Sequence, residues 1–318
     1  MIIVNDKYVE LLRNKRTKKP RISKLYSMDY IFKLVYKIPK YVPVSYVCLL
    51  EHGANFQFNY FYERLLKTED ELIFFDNSHR VKSYYNQTGK ISYAIGPLYP
   101  KYRKLMNIKP KTDRKGTLAF PSHSSSQFDF SKGYLNYINE LKNLPDKFHP
   151  ISICLYYYDI INGHFDLFRD AGFQVLSNGY IGDPQFVNNL YDHISSFQYI
   201  TSNHLGSYSF YAIEMGIPFF LYGEDIDAEL INNGKMNGVN MNDFIKDDFL
   251  QKVTKQTIFN INEKIEITPE LKDSIDIIMD EKEILSIINV RSLVLNNWLG
   301  LLSKKILKFF KSNNFKLK

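Results

Sequence analysis

Cysteine is nearly missing from this chain: two residues, Cys48 and Cys154, in 318. Each lies inside an apolar run. A disulfide scaffold needs many cysteines and an oxidising compartment, so both read as buried, inert thiols. No Cys/His pair has the spacing of a zinc site. Uninterrupted apolar runs of the ~18–20 residues that a membrane span requires are also lacking. Met1 to Val4 leads straight into charged residues without an apolar h-region, so no signal peptide is read and a cytosolic protein is expected. Neither GxGxxG nor a Walker A sequence occurs, which disfavours a dinucleotide oxidoreductase and a P-loop ATPase.

What is present is ordinary in amount and uneven in placement. Hydrophobic residues make up 45% and charged residues 24%, which excludes wholesale disorder. The net charge of +7 is carried by the ends. Residues 1–40 hold 11 Lys/Arg against 3 Asp/Glu, and residues 291–318 hold 7 against none, leaving 23 bases and 31 acids between them. A nucleic-acid binder more often carries its basic patch on the folded body. Basic ends around an acidic body suit an anionic membrane surface instead, so no nucleic-acid partner is expected.

Short β-rich runs alternate with amphipathic stretches. Strands are predicted at Val44–Leu50, Glu71–Asp76, Ile91–Ile95, Gly116–Phe120, Ile151–Tyr157, Phe173–Leu176, Phe197–Thr201 and Pro218–Leu221. Helices are predicted over 56–67, 79–87, 131–143, 164–171, 184–196 and 207–216. Runs apolar on both faces, such as SICLYYY and PFFLY, are what a helix-covered parallel sheet requires. The rhythm therefore predicts an α/β protein built on open parallel sheets. After Gly223 the strands are expected to stop and the chain to become mostly helical. The polar, basic segment Met106–Lys115, with Pro110, is the candidate linker. The expected division is an N-terminal α/β part over 1–112, a Rossmann-like nucleotide-binding part over 113–285, and a basic amphipathic helix over 286–318.

Chemistry is sought at strand ends. In Tyr199–Gly223 a strand runs into a loop with Gly206, and a helix follows, for which Ser207 is a sound N-cap. Its first amides suit a phosphate, although a plain βαβ unit has the same pattern. In Lys115–Ser126 a strand enters a turn carrying Pro121, Ser122, His123 and Ser124, placed where doubly wound sheets bind ligands. A solvated Ser-rich turn is the alternative there. Leu49–Phe56 delivers Glu51 and His52 into a turn, a carboxylate and an imidazole fit for general-base work; Phe74–Val81 delivers Asp76, His79 and Arg80. Asp159 and Asn178 also fall at strand ends, whereas His164 and His193 read as structural. In the C-terminal stretch, Leu302, Ile306, Phe309 and Phe310 share a helical face against Lys304, Lys308 and Lys311, with Trp298 at the boundary. That pattern fits an interfacial helix or one packed on the protein's own body.

Two Rossmann-like halves, a linker and a helical tail resemble the glycosyltransferases of GT-B architecture. Tyr199–Gly223 is similar to the strand–loop–helix that holds the donor nucleotide there. Glu214-Met215-Gly216-Ile217-Pro218 is similar to the E-x-x-G-x-P helix ending, one residue shorter. The serines around Gly206 resemble the serine motif of bacterial sialic-acid and Kdo transferases, which use CMP-sugars. His149-Pro150 resembles their His-Pro dipeptide but precedes a strand, and the Glu51-His52-Gly53 turn is similar to HG turns of polysaccharide transferases. The resemblance implies two domains facing a cleft, and a membrane-peripheral, cytoplasmic transferase of bacterial surface-polysaccharide assembly. It implies a nucleotide-sugar donor (CMP- or UDP-) and a glycan or lipid-linked acceptor. No DxD carboxylate pair stands at a strand end, so no metal or other cofactor is expected. Glu51 or His52 would be the base, with Asp76 next. Ser122, His123, Ser124, Gly206, Ser207 and Ser209 would surround the donor phosphate, and Glu214 would reach the ribose. A pyruvyl or glycerol-phosphate transferase on the same scaffold, and a non-catalytic partner in polysaccharide assembly, are the alternatives.

Overall fold

Every predicted strand forms, and the eight divide between two parallel sheets. A computed structural model describes residues 1–15, 21–51, 61, 63–67, 72–125, 128–224, 229–230, 248–260, 264–278 and 284–312. The first sheet holds β1 (Cys48–Leu50), β2 (Leu72–Phe75) and β3 (Tyr93–Ala94) in that order. The second holds β4 (Thr117–Ala119), β6 (Ile151–Leu155), β7 (Gln174–Ser177), β8 (Tyr199–Ser202) and β9 (Phe219–Leu221), in the order β7-β6-β4-β8-β9. The chain thus winds outward from β4 to one side and returns to wind to the other, the doubly wound arrangement. The expectation that strands end at Gly223 is corrected by β10 (Glu229–Leu230), which pairs antiparallel with β5 (Phe128–Asp129).

The helices preceding and following the first sheet are α1 (Asp6–Lys15), α2 (Met28–Val35), α3 (Val44–Val47), α4 (Glu63–Lys67), α5 (Ser78–Thr88) and α6 (Leu98–Leu105). The second sheet carries α7 (Tyr134–Lys142), α8 (Tyr157–Ile161), α9 (Phe165–Asp170), α10 (Phe186–Ile194) and α11 (Ser207–Glu214). Beyond it run α12 (Asp248–Thr257), α13 (Pro269–Ile278) and the long α14 (Ile287–Ser312). Val44–Val47, predicted as the start of a strand, is a helical turn. Pro43 leads into it, the Tyr46 amide bonds the Pro43 carbonyl at 2.8 Å, and Asn297 of α14 bonds the Val47 carbonyl at 2.8 Å. Tertiary packing overrides the β-branched preference there.

The period-2 alternation sorts side chains between two cores. Leu118 and Cys154 face one, together with Leu50 and Phe74 of the first sheet and Val290 and Val294 of α14. Ala119, Ile153 and Leu155 face the other, under α1, α7, α8 and α9. The second sheet is therefore covered on both faces, as its two-faced apolar strands require. Both cysteines are buried thiols outside any disulfide, and burial pushes the Cys154 thiol pKa up, which keeps it unreactive.

Two segments sit where the sequence pattern did not put them. Residues 2–4 lie antiparallel along β7, through Val4 N–H to the Val175 carbonyl (2.9 Å) and Ser177 N–H to the Ile2 carbonyl (3.1 Å). Met106–Lys115 is pinned to the α10 end by the Lys111 ammonium on Asp192 (2.7 Å) and by its amide on the Ser195 carbonyl.

Gly116, at the entry to β4, has φ +66°, and a Cβ there would lie 2.0 Å from the Pro150 carbonyl oxygen. Gly89, the α5 C-cap at φ +68°, has open space around the same position. Gly89→Ala should therefore cost only left-handed strain, about 1 kcal/mol, whereas Gly116→Ala adds a backbone clash and should cost more than the ~3 kcal/mol upper range of strain alone. Urea unfolding of the two variants measures this; equal midpoints would contradict the close approach of β4 and β6.

Candidate functional site

The carboxyl edge of the first sheet carries a buried charge cluster built by two short sequences. β1 ends at Leu50 and presents Glu51; β2 ends at Phe75 and presents Asp76. Asn77 then caps α5, its side-chain oxygen accepting the Arg80 amide at 2.9 Å. That cap fixes the first turn so that Arg80 points back to Glu51. Arg80 Nε donates to Glu51 Oε2 at 2.6 Å, and its terminal nitrogen donates to Oε1. The guanidinium lies over the Phe61 and Phe75 rings, at 4.5 and 5.4 Å from their centroids. Arg80 is 2% exposed, so the guanidinium is shielded from water.

Glu51 and Asp76 line a small pocket with Met28, Gly96, Leu98, Tyr99 and Tyr211. Gly96 follows β3, so three adjacent strands of the first sheet contribute, while Tyr211 comes from α11 beside the second sheet. The cluster has two carboxylates around one guanidinium. Burial pushes the Glu51 carboxyl up to about 7, Arg80 pulls it back, and the Asp76 charge adds to the rise. Burial and the Asp76 charge likewise push the Tyr211 hydroxyl up. His52 lies outside the described residues.

The second cluster gathers where β4 and β8 leave the sheet, the switch point at which doubly wound sheets part. Ser122 donates from its amide (2.9 Å) and its hydroxyl (3.2 Å) to the Asn203 side-chain oxygen. Ser202 donates to the Phe120 carbonyl at 2.5 Å, and the Tyr208 ring stacks on Phe120 at 4.4 Å. Behind this loop stands Asp159, fully buried at the β6 exit. It accepts from the Ser124 amide (3.2 Å) and from the Tyr134 hydroxyl (2.8 Å), with His164 Nδ1 3.3 Å away. Ser122, Ser124 and Ser209 are all buried, and the Ser209 hydroxyl donates to the Gly206 carbonyl at 2.6 Å. Their hydroxyls serve the loops themselves. His123 is exposed, tilted against Tyr156 at 4.2 Å, and near enough to the exposed His204 for their charges to interact.

The helix predicted to start at Ser207 is capped one residue earlier. Gly206 is the N-cap, with an extended backbone; glycine has no side chain to cap with, and a Cβ there would meet the Tyr208 ring at 2.5 Å. Ser207 is half-exposed in the first turn. Glu214 is at the other end of α11 from this cluster. Both its oxygens are held by Arg103 of α6, at 2.8 and 2.6 Å. His149 precedes β6, on the amino edge, with Nε2 2.8 Å from the Leu144 carbonyl.

The structure thus brings Glu51 and Asp76 together, brings Ser122, His123 and Ser124 up to the Gly206 loop, and sets Glu214 apart. Reasoning from the sequence missed Asn203, His204 and Tyr211. The polar run Ser202-Asn203-His204 straight after an apolar strand was the available signal for the first two. Tyr211 had none, since it looks like any apolar-face helix residue.

These features define an α/β protein with two parallel sheets, one of them doubly wound. No protein-family model matches the chain, and no curated protein matches it in sequence.

Glu51 and His193 pull stability in opposite directions. Glu51 binds its proton more tightly folded (about 7) than unfolded (4.5), so its stabilising contribution is lost as pH rises through that window. Burial, helped by the N-terminal ammonium, lowers His193 from 6.5 to about 4, so its contribution is lost as pH falls through 6.5 to 4. Glu51→Gln removes only the first. Its stability relative to the parent should improve by up to roughly 3 kcal/mol between pH 4.5 and 7. Urea unfolding at both pH values tests this, and an unchanged difference would mean that Glu51 stays ionised throughout.

Proposed function

We propose that the chain is a glycosyltransferase of GT-B-like layout, its two sheets facing a cleft. It moves a sugar from a nucleotide-sugar (CMP- or UDP-) to a glycan or lipid-linked acceptor in surface-polysaccharide assembly. The observation that carries this reading is the pocket shared by Glu51, Asp76 and Tyr211: a carboxyl held near neutrality at one sheet's carboxyl edge, facing the helix that follows the other sheet's switch-point strand. A general base works best with a pKa near the operating pH. Glu51 would take the proton of the acceptor hydroxyl as its oxygen attacks the anomeric carbon and the nucleotide phosphate departs. Arg80 fixes the carboxylate's direction and Asp76 raises its proton affinity. His52 and Asp76 are the other base candidates.

On the donor side, Ser122, Ser124 and Ser209 are engaged internally, so the amides after Gly206 would carry the phosphate contact, with His123, His204 and Ser207 around them. The expected independence from metal and the membrane-peripheral location belong to the same proposal. Among the described residues no helix is long and apolar enough to cross a membrane. One observation favours a non-catalytic partner in polysaccharide assembly instead: a loop whose serines already close on themselves has no need of a phosphate to hold its shape.

A melting screen against CMP, UDP, GDP and CDP separates the two readings. A nucleotide at about 100 times its Kd stabilises the fold by ~2.7 kcal/mol. With the nucleotide so identified, Glu51→Gln should lower transfer from the corresponding nucleotide-sugar by about 10²–10⁴-fold while nucleotide binding stays. No shift with any of the four would remove the donor site and leave the non-catalytic reading.

A further inference from the structure

The helix α14 has two apolar sides, one packed on the body and one that, apart from the half-buried Leu295 and Leu302, is exposed among the described residues. Val290 and Val294 are 0% exposed against the main core, and Leu301 continues that line half-buried. Ile288, Leu299 and Ile306 are 79%, 53% and 54% exposed. They are separated by 11 and 7 residues, close to three and two whole turns, so they stand in one row along the side turned away from the body. Leu302 lies between the last two on the same side. The row spans about 27 Å at 1.5 Å per residue. Past Leu301, where the body-side row would continue, exposed Lys304, Lys305 and Lys308 take over.

Beside this helix lies an aromatic and basic rim. Tyr41, 71% exposed, meets the Trp298 ring at 5.4 Å. Tyr46, 58% exposed, carries the Arg21 guanidinium over its ring at 3.3 Å. Exposed Tyr rings and a half-buried Trp beside an apolar stripe are the side chains favoured at a lipid–water boundary. We infer that the outer row of α14, from Ile288 to Ile306, docks flat on an anionic lipid surface, with the Tyr41, Tyr46 and Trp298 rings at its rim. Charge selects this occupant over the same helix of a second copy of the chain. Residues 291–318 hold 7 Lys/Arg and no Asp/Glu, so pairing two such helices would stack cations without a counter-charge, whereas anionic headgroups supply it.

The docking has a consequence for the pocket. The chain entering α14 runs along the first sheet, Leu285 N–H bonding the Ala94 carbonyl at 2.9 Å, and Ile284 lies against Gly96 of the pocket wall. The lipid-facing row therefore starts a few residues from the pocket. Resting on the transferase reading, this makes the acceptor a lipid-linked glycan, met at the membrane surface.

Co-sedimentation of the full chain with phosphatidylcholine vesicles, alone or mixed with phosphatidylglycerol, tests the docking without reference to catalysis. The protein should pellet with the anionic vesicles about tenfold or more better than with the neutral ones, and more weakly, though still measurably, at high salt. Ile288→Glu and the double variant Leu299→Glu/Ile306→Glu should each lower vesicle binding by about tenfold or more. Their melting and nucleotide shifts should stay at parental values, because these side chains are exposed. Full binding by Ile288→Glu would confine contact to the tail and overturn the row. Equal binding to both vesicle types, or to neither, would overturn the lipid surface. A dimer in sedimentation velocity that the variants dissolve, without vesicle binding, would put a second copy in its place. A nucleotide screen that fails while vesicle binding succeeds would sink the transferase and leave the docking intact.

Discussion

A guanidinium and two carboxylates cannot be removed from water cheaply, and the first sheet is organised around making that tolerable. Each buried ion costs several kcal/mol, repaid only by close geometry and full hydrogen bonding. The Arg80–Glu51 fork supplies the geometry, and the Phe61 and Phe75 rings supply a face on which a delocalised cation is content to lie. The requirement reaches into the backbone. β1 and β2 must be in register for Glu51 and Asp76 to emerge together, and Leu50 does pair with Phe74. Asn77 must cap α5 for Arg80 to turn inward. Burial of the Glu51 carboxyl favours its protonated form against the pull of Arg80, and the Asp76 charge adds to that. The raised Glu51 pKa is therefore a consequence of how the sheet is held together.

The second dependence is on α6, which joins the sheets. Tyr99 stacks on Tyr211 at 4.9 Å and donates to the Tyr26 carbonyl at 2.6 Å; Tyr102 bonds Asn188; Arg103 holds Glu214. One core runs without a break from Phe74 through Tyr99 to Phe120 and Ile200. Any motion that opened the pocket by separating the sheets would have to break the Arg103–Glu214 fork or slide the Tyr99 stack. The fork sits at partial exposure, 16% and 13% for the two side chains, where an ion pair is weaker than a fully buried one. It is the more easily released of the two contacts.

Most of the scaffold was legible because strand burial leaves a one-dimensional trace. ISICL reads as a strand buried on both faces, and is one, and the ends of such runs located Glu51, Asp76 and Asp159. What was not legible depends on partners far away in the chain. Ile2 and Val4 join β7 through backbone amides, which no side-chain pattern announces. Glu214 fits a helix-ending motif, yet its chemistry is set by Arg103, 111 residues earlier. Val44–Val47 has strand-forming residues and a helical turn, since the neighbouring Pro43 and Asn297 decide its conformation.

The serines show how burial changes the meaning of a motif. A hydroxyl at a strand end can bind a ligand or close its own loop, and the sequence is the same in both cases. Ser124 is 1% exposed and Ser209 0%; a hydroxyl so placed must bond inside the protein, and each does. Their work is to hold the two loops in shape at the switch point, with Asp159 bracing the Ser124 amide from behind. The loops so fixed leave His123 and His204 exposed. On the proposed reading an anion there would meet main-chain amides presented by a serine-built frame, which the serine motif alone does not suggest.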